Sequence, residues 1–66
     1  MLIYINSEER EIPDDANMAA LINLLELGDQ RIAVEVNETL VPRSTFDHHA
    51  LLPEDKVEIV RAIGGG

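Results

Sequence analysis

"KVEIVRAIGGG", residues 56–66, is the stretch on which the fold turns. Val57 and Ile59 fall on one side of an extended chain and Glu58 and Val60 on the other, the period-two pattern of a strand with one buried face. Gly64, Gly65 and Gly66 follow almost at once. A strand that runs into residues without side chains can be held in a sheet up to Arg61, and what comes after it can leave. We therefore expect a domain over residues 1–61 and a flexible C-terminal tail over residues 62–66.

Upstream, the pattern supplies the partners such a strand needs. "LIYIN" at residues 2–6 is rich in β-branched and aromatic residues, and "NSEE" leads through turn formers to a short "REI" at residues 10–12, which predicts a hairpin. Pro13, Asp14 and Asp15 break the strand. "MAALINLLEL", residues 18–27, places Met18, Leu21, Ile22 and Leu25 on one helical face, with Asp15 or Asn17 as N-cap and Gly28 as a left-handed stop. "IAVEVN", residues 32–37, alternates again, and Asn37-Glu38-Thr39 forms a tight turn into "LVP". In "RSTFDHHALLPED", residues 43–55, Ser44 or Thr45 can cap one helical turn, Phe46 is the apolar anchor, and Pro53-Glu54-Asp55 is a turn. The order is ββαββ. A mixed sheet packed on one main helix buries one face of each layer, so the fold class is α+β, of the β-grasp or ubiquitin-like arrangement.

Composition narrows the function. Sixty-six residues are close to the smallest core that holds a fold unaided. With no cysteine, disulfides, thiolate metal sites and thiol catalysis are excluded together. Thirteen acidic residues against five basic ones give a net charge of −8, unfavourable for nucleic acid or an anionic membrane and complementary to a basic protein partner. "MLIYINSEER" lacks the pattern of a secretory signal, and no apolar run approaches membrane-spanning length, so a cytoplasmic location is expected.

The side chains offer little chemistry of their own. His48 and His49 are adjacent, so in extended chain they point apart and make poor co-ligands, and no third ligand accompanies them. Ser7 and Ser44 lie outside any nucleophile elbow. Glu8, Glu9, Asp14 and Asp15 fit a solvated turn and cap better than a desolvated acid and base. The glycines are not a phosphate loop, because no lysine-bearing helix follows them. Two readings of the tail remain: an inert end, or a working carboxylate. Glycines can thread a slot too narrow for side chains, and from Arg61 to Gly66 the reach is about 20 Å. The Gly66 carboxylate would attack the α-phosphorus of ATP in a partner's site, and activation as an acyl-adenylate makes substitution at that carbon feasible. Its own domain need supply no catalyst.

"IYIN", "VN", "LVPRSTF" and "LLPEDKVEIVRAIGGG" resemble, in order and spacing along the whole chain, the ThiS family of sulfur carriers in thiamine biosynthesis. That resemblance implies a β-grasp fold with no permanently bound cofactor. It implies adenylation of Gly66 by a ThiF-type adenylyltransferase using ATP and magnesium, sulfur drawn from cysteine by a desulfurase, and delivery of the thiocarboxylate sulfur to the thiazole synthase ThiG. Gly64 and Gly65 would thread the tail. Two positions depart from the family's habit: Glu54 stands where glycine is common, and Phe46 where tryptophan or tyrosine is. If Ile3, Ile5, Val57 and Ile59 face the helix, then Leu2, Tyr4 and Val60 form an apolar patch on the other face, rimmed by Glu58 and Arg61, for partner docking. Alternatives are the small subunit of molybdopterin synthase, a ubiquitin-like modifier of lysines, and an interaction module with an idle tail.

Overall fold

The first hairpin closes on two residues that tolerate left-handed backbone angles. In a computed structural model describing residues 1–61, β1 (Leu2–Ile5) and β2 (Glu8–Glu11) pair antiparallel, with Leu2 opposite Glu11 and Ile5 opposite Glu8. Asn6 and Ser7 alone lie between them, at φ 50° and 73°, as a type I′ turn requires. The second strand thus begins at Glu8, two residues before the predicted start at Arg10. A two-residue turn leaves Glu8 and Glu9 in the ladder whatever their strand propensity.

Asn17 starts the helix α1 (Met18–Leu24), its side-chain oxygen accepting from the Ala20 amide at 2.8 Å. The helix stops earlier than the apolar spacing predicts, and the left-handed residue is Glu26 at φ 59°, not Gly28. The Leu27 amide donates to the Ile22 carbonyl and the Glu26 amide to Asn23, both at 3.0 Å, a Schellman closure. Leu25 and Leu27 still pack on the core from this reversal, so their periodicity reports burial and not helix.

The second hairpin repeats the first. β3 (Ile32–Val36) and β4 (Thr39–Val41) pair across Asn37 and Glu38, at φ 50° and 70°. A 3₁₀ helix, Arg43–His48, follows Pro42 with no side-chain cap, contrary to the cap expected from Ser44 or Thr45. The Thr45 hydroxyl instead donates to the Pro42 carbonyl at 2.8 Å, which tightens the turn. Glu54, at φ 68°, precedes β5 (Lys56–Arg61), so that turn does use a left-handed residue.

Strand order is β2-β1-β5-β3-β4, with β5 parallel to β1 and antiparallel to β3. Ile3, Val34, Val36 and Val57 of the sheet meet Met18, Leu21 and Ile22 of the helix, and Ile12, Val41, Phe46 and Leu51 close the margins. This is the mixed β-grasp sheet on one helix. The tail expected at residues 62–66 lies outside the described residues.

Candidate functional site

The strand that leads to the glycines is the best-anchored element of the sheet. β5 lies in the middle, and two hairpin turns hold it by their asparagines. Asn6 accepts from the Ile59 amide at 2.8 Å and donates to the Ile59 carbonyl at 3.1 Å, so its side chain adds a rung where β1 ends. On the other flank, Asn37 accepts from the Lys56 amide at 3.0 Å, and its own amide donates to the Lys56 carbonyl at 2.8 Å. Each asparagine tolerates a positive φ and hydrogen-bonds locally, the combination that suits it to the first position of such a turn.

Asp55 ties this grip together. It is the buried charged residue of the described chain, 7% exposed. One carboxylate oxygen accepts from Asn37 Nδ2 at 3.0 Å and the other from the Leu52 amide at 2.9 Å. Its backbone carbonyl accepts from the Tyr4 amide at 2.9 Å, joining the start of β5 to β1. A second brace uses Arg43, whose guanidinium donates to the Gly28 and Gln30 carbonyls and lies 5.7 Å from the Phe46 ring centroid. Asn37, Arg43, Phe46 and Asp55, visible in sequence as parts of a pattern, are thus fasteners around β5 and its neighbours. In sequence Asn6 is marked only by its place directly after a β-branched run; its partner Ile59 lies 53 residues away.

On the outer face of the sheet, alternation places Leu2 and Tyr4 of β1 together with Glu58 and Val60 of β5. Tyr4 pairs with Lys56, and Val60 lies four residues further along β5, about 13 Å away at strand rise. Lys56 and Glu58 occupy the interval, so Leu2 and Tyr4 do not form one continuous apolar patch with Val60. Val60, 59% exposed, instead stands opposite Ala33, and Leu40, 63% exposed, stands opposite Glu35. Arg61 does not rim this face. It shares the parity of Val57 and Ile59 and lies with Ile5, Leu25, Leu27, Ile32 and Ile59 around a 390 Å³ groove at the other face. Gly64, Gly65 and Gly66 lie outside the described residues. His48 is exposed and His49 half-buried, and among the described residues no cluster of three histidine, aspartate or glutamate side chains could hold a metal.

The sequence model of the ThiS family matches residues 3–66, nearly the whole chain. The chain belongs to the ThiS family. A crystal structure of the thiamine biosynthesis protein ThiS from Geobacter metallireducens superposes with a TM-score of 0.86 at 25% identity, covering both chains in full. An uncharacterized protein, ycf40, from Porphyra purpurea is 38% identical over 64 residues, covering 97% of this chain and 90% of that protein. A thiazole synthase from Paramagnetospirillum magneticum is 39% identical over 66 residues, all of this chain but 20% of that protein. No helix among the described residues is long and apolar enough to cross a membrane.

Proposed function

We propose that this protein is a sulfur carrier of thiamine biosynthesis, loaded at the carboxyl group of Gly66. The observation that carries the proposal is the family match running through residue 66, together with a β5 strand pinned on both flanks and ending three residues before Gly64. A carboxylate oxygen of Gly66 attacks the α-phosphorus of ATP, a P–O bond forms, and pyrophosphate leaves with its magnesium. The desulfurase leaves cysteine's sulfur as a persulfide, whose terminal sulfur adds at the acyl carbon as AMP leaves; a thiol reductant then cleaves the resulting acyl disulfide, giving the thiocarboxylate and a disulfide. A ThiF-type adenylyltransferase supplies the first step, and a ThiG-type thiazole synthase accepts the sulfur. The chain contributes no catalytic side chain. It contributes an address and a carboxyl group at the end of a segment narrow enough to enter a partner's site, with Gly64 and Gly65 threading that segment.

Docking falls to the outer face of the sheet, through Leu2, Tyr4, Glu58 and Val60. Arg61 contributes from the groove side. A rigid β5 sets where the glycines begin, so the partner reads domain position and tail origin together.

Intact mass is the test. After incubation with ATP, magnesium, a ThiF-type enzyme and a sulfur donor, the mass rises by the replacement of one oxygen with sulfur. Deleting Gly65 and Gly66 abolishes the change. No shift with an enzyme active on another carrier refutes the proposal.

A further inference from the structure

The outer face carries two carboxylates that the fold does not use. Glu35 of β3 and Glu58 of β5 stand directly opposite each other in the antiparallel register, both exposed. Opposed side chains have their Cβ atoms about 5 Å apart, and like charges so placed work against the sheet. Among the described residues, ion pairs are made by the Met1 amino group with Glu11 and Asp14, and neither Glu35 nor Glu58 takes part in one. Lys56 is paired in register with Tyr4 and lies two residues from Glu58 along β5. Exposed apolar side chains border the pair: Leu40 opposite Glu35, and Val60 two residues beyond Glu58.

We propose that the Glu35–Glu58 pair receives an arginine guanidinium from the protein that handles the C-terminal segment. The inference rests on the carrier reading and names the chemistry of its docking face. Three features favour this occupant. An arginine presents a planar fork of donors that can reach two carboxylates at once, whereas a lysine ammonium is a point charge. The face is acidic, with Glu9, Glu11, Glu35 and Glu58 against Lys56, so a basic surface complements it. Glu58 also lies on β5 itself, so a partner seated there is against the strand whose continuation it must take up. Covering Leu40 and Val60 removes water from around the ion pair and strengthens it. Repulsion that only Lys56 offsets on this face of the isolated chain is thereby relieved further in the complex.

The test compares a Glu35→Gln/Glu58→Gln double variant with an Asp29→Asn/Asp47→Asn control, which has the same charge change away from this face. Wild-type adenylation by a ThiF-type enzyme is first established by ATP–pyrophosphate exchange, and KM and kcat for each carrier are then measured at low and high ionic strength. The double variant is expected to raise KM roughly tenfold or more at low salt and to leave kcat unchanged. Its melting temperature should not fall, since a like-charge pair has been removed, and its KM should respond less to salt. The control should stay within about twofold of wild type. A double-variant KM within about twofold of wild type overturns the inference and leaves the carrier reading standing, as does an equal rise in the control. A wild-type chain that is not adenylated defeats the carrier reading, and this inference with it.

Discussion

Replacing Asp55 with alanine should remove a large part of the stability of this domain. The carboxylate accepts from Asn37 Nδ2 at 3.0 Å and from the Leu52 amide at 2.9 Å, in a site where the residue is 7% exposed. Hydrogen bonds to a charged group contribute about 1.5–3 kcal/mol each, and alanine leaves both donors without their acceptor. The expected loss is therefore about 3–6 kcal/mol. A chain of this length has a total stability of roughly 3–10 kcal/mol at ordinary per-residue values, so the variant is left marginal. Asp55→Asn should lose about half as much, because an amide oxygen can still accept from Leu52 while its NH₂ group faces Asn37 Nδ2. Urea titration followed by far-UV circular dichroism gives both numbers from the midpoint at constant slope. A loss below about 1 kcal/mol for Asp55→Ala, with the slope unchanged, would refute the idea that this carboxylate fastens the start of β5.

The Met1 ammonium donates to the Asp14 carboxylate at 2.7 Å, and this hydrogen bond, with the attraction between the two charges, raises the amine above its ordinary 8.0 and lowers Asp14 below its ordinary 3.8. The amine's contribution is present below pH 8.0 and lost as pH rises through the raised value; the carboxylate's is present above pH 3.8 and lost as pH falls through the lowered one. Melting temperature against pH should show both flanks, small because the pair is at the surface, and acetylating Met1 should remove them. Glu54→Gly should stabilise the chain by about 0.5 kcal/mol in thermal melts, the relief of a left-handed residue at φ 68° being partly offset by unfolded-state entropy. A destabilised variant would show that the Glu54 side chain has a role the backbone angle does not reveal. Gly65→Ala should slow adenylation roughly tenfold or more while Gly64→Ala is milder, since in the proposed cycle the penultimate residue sits beside the reacting carbon. Equal tolerance at the two positions counts against threading.

The sequence by itself determined the order of elements, the core-facing positions and the family. Those are local matters: alternation at residues 32–36 and 57–60, the i, i+3, i+4 spacing of Met18, Leu21 and Ile22, and a run of motifs matched along the chain. Tertiary structure decided whatever depends on a partner from another part of the chain. The helix ends at Leu24 and not at Leu27 because a reversal at Glu26 lets Leu25 and Leu27 turn back onto the core, and hydrophobic spacing cannot tell a buried reversal from another helical turn. Asn6 grips Ile59 across 53 residues of chain, a contact that no window along the sequence contains. Parity along β5 puts Arg61 with Val57 and Ile59, on the groove side and not on the outer rim. The opposition of Glu35 and Glu58 needed the strand register, because two glutamates 23 positions apart become neighbours only when β3 and β5 pair.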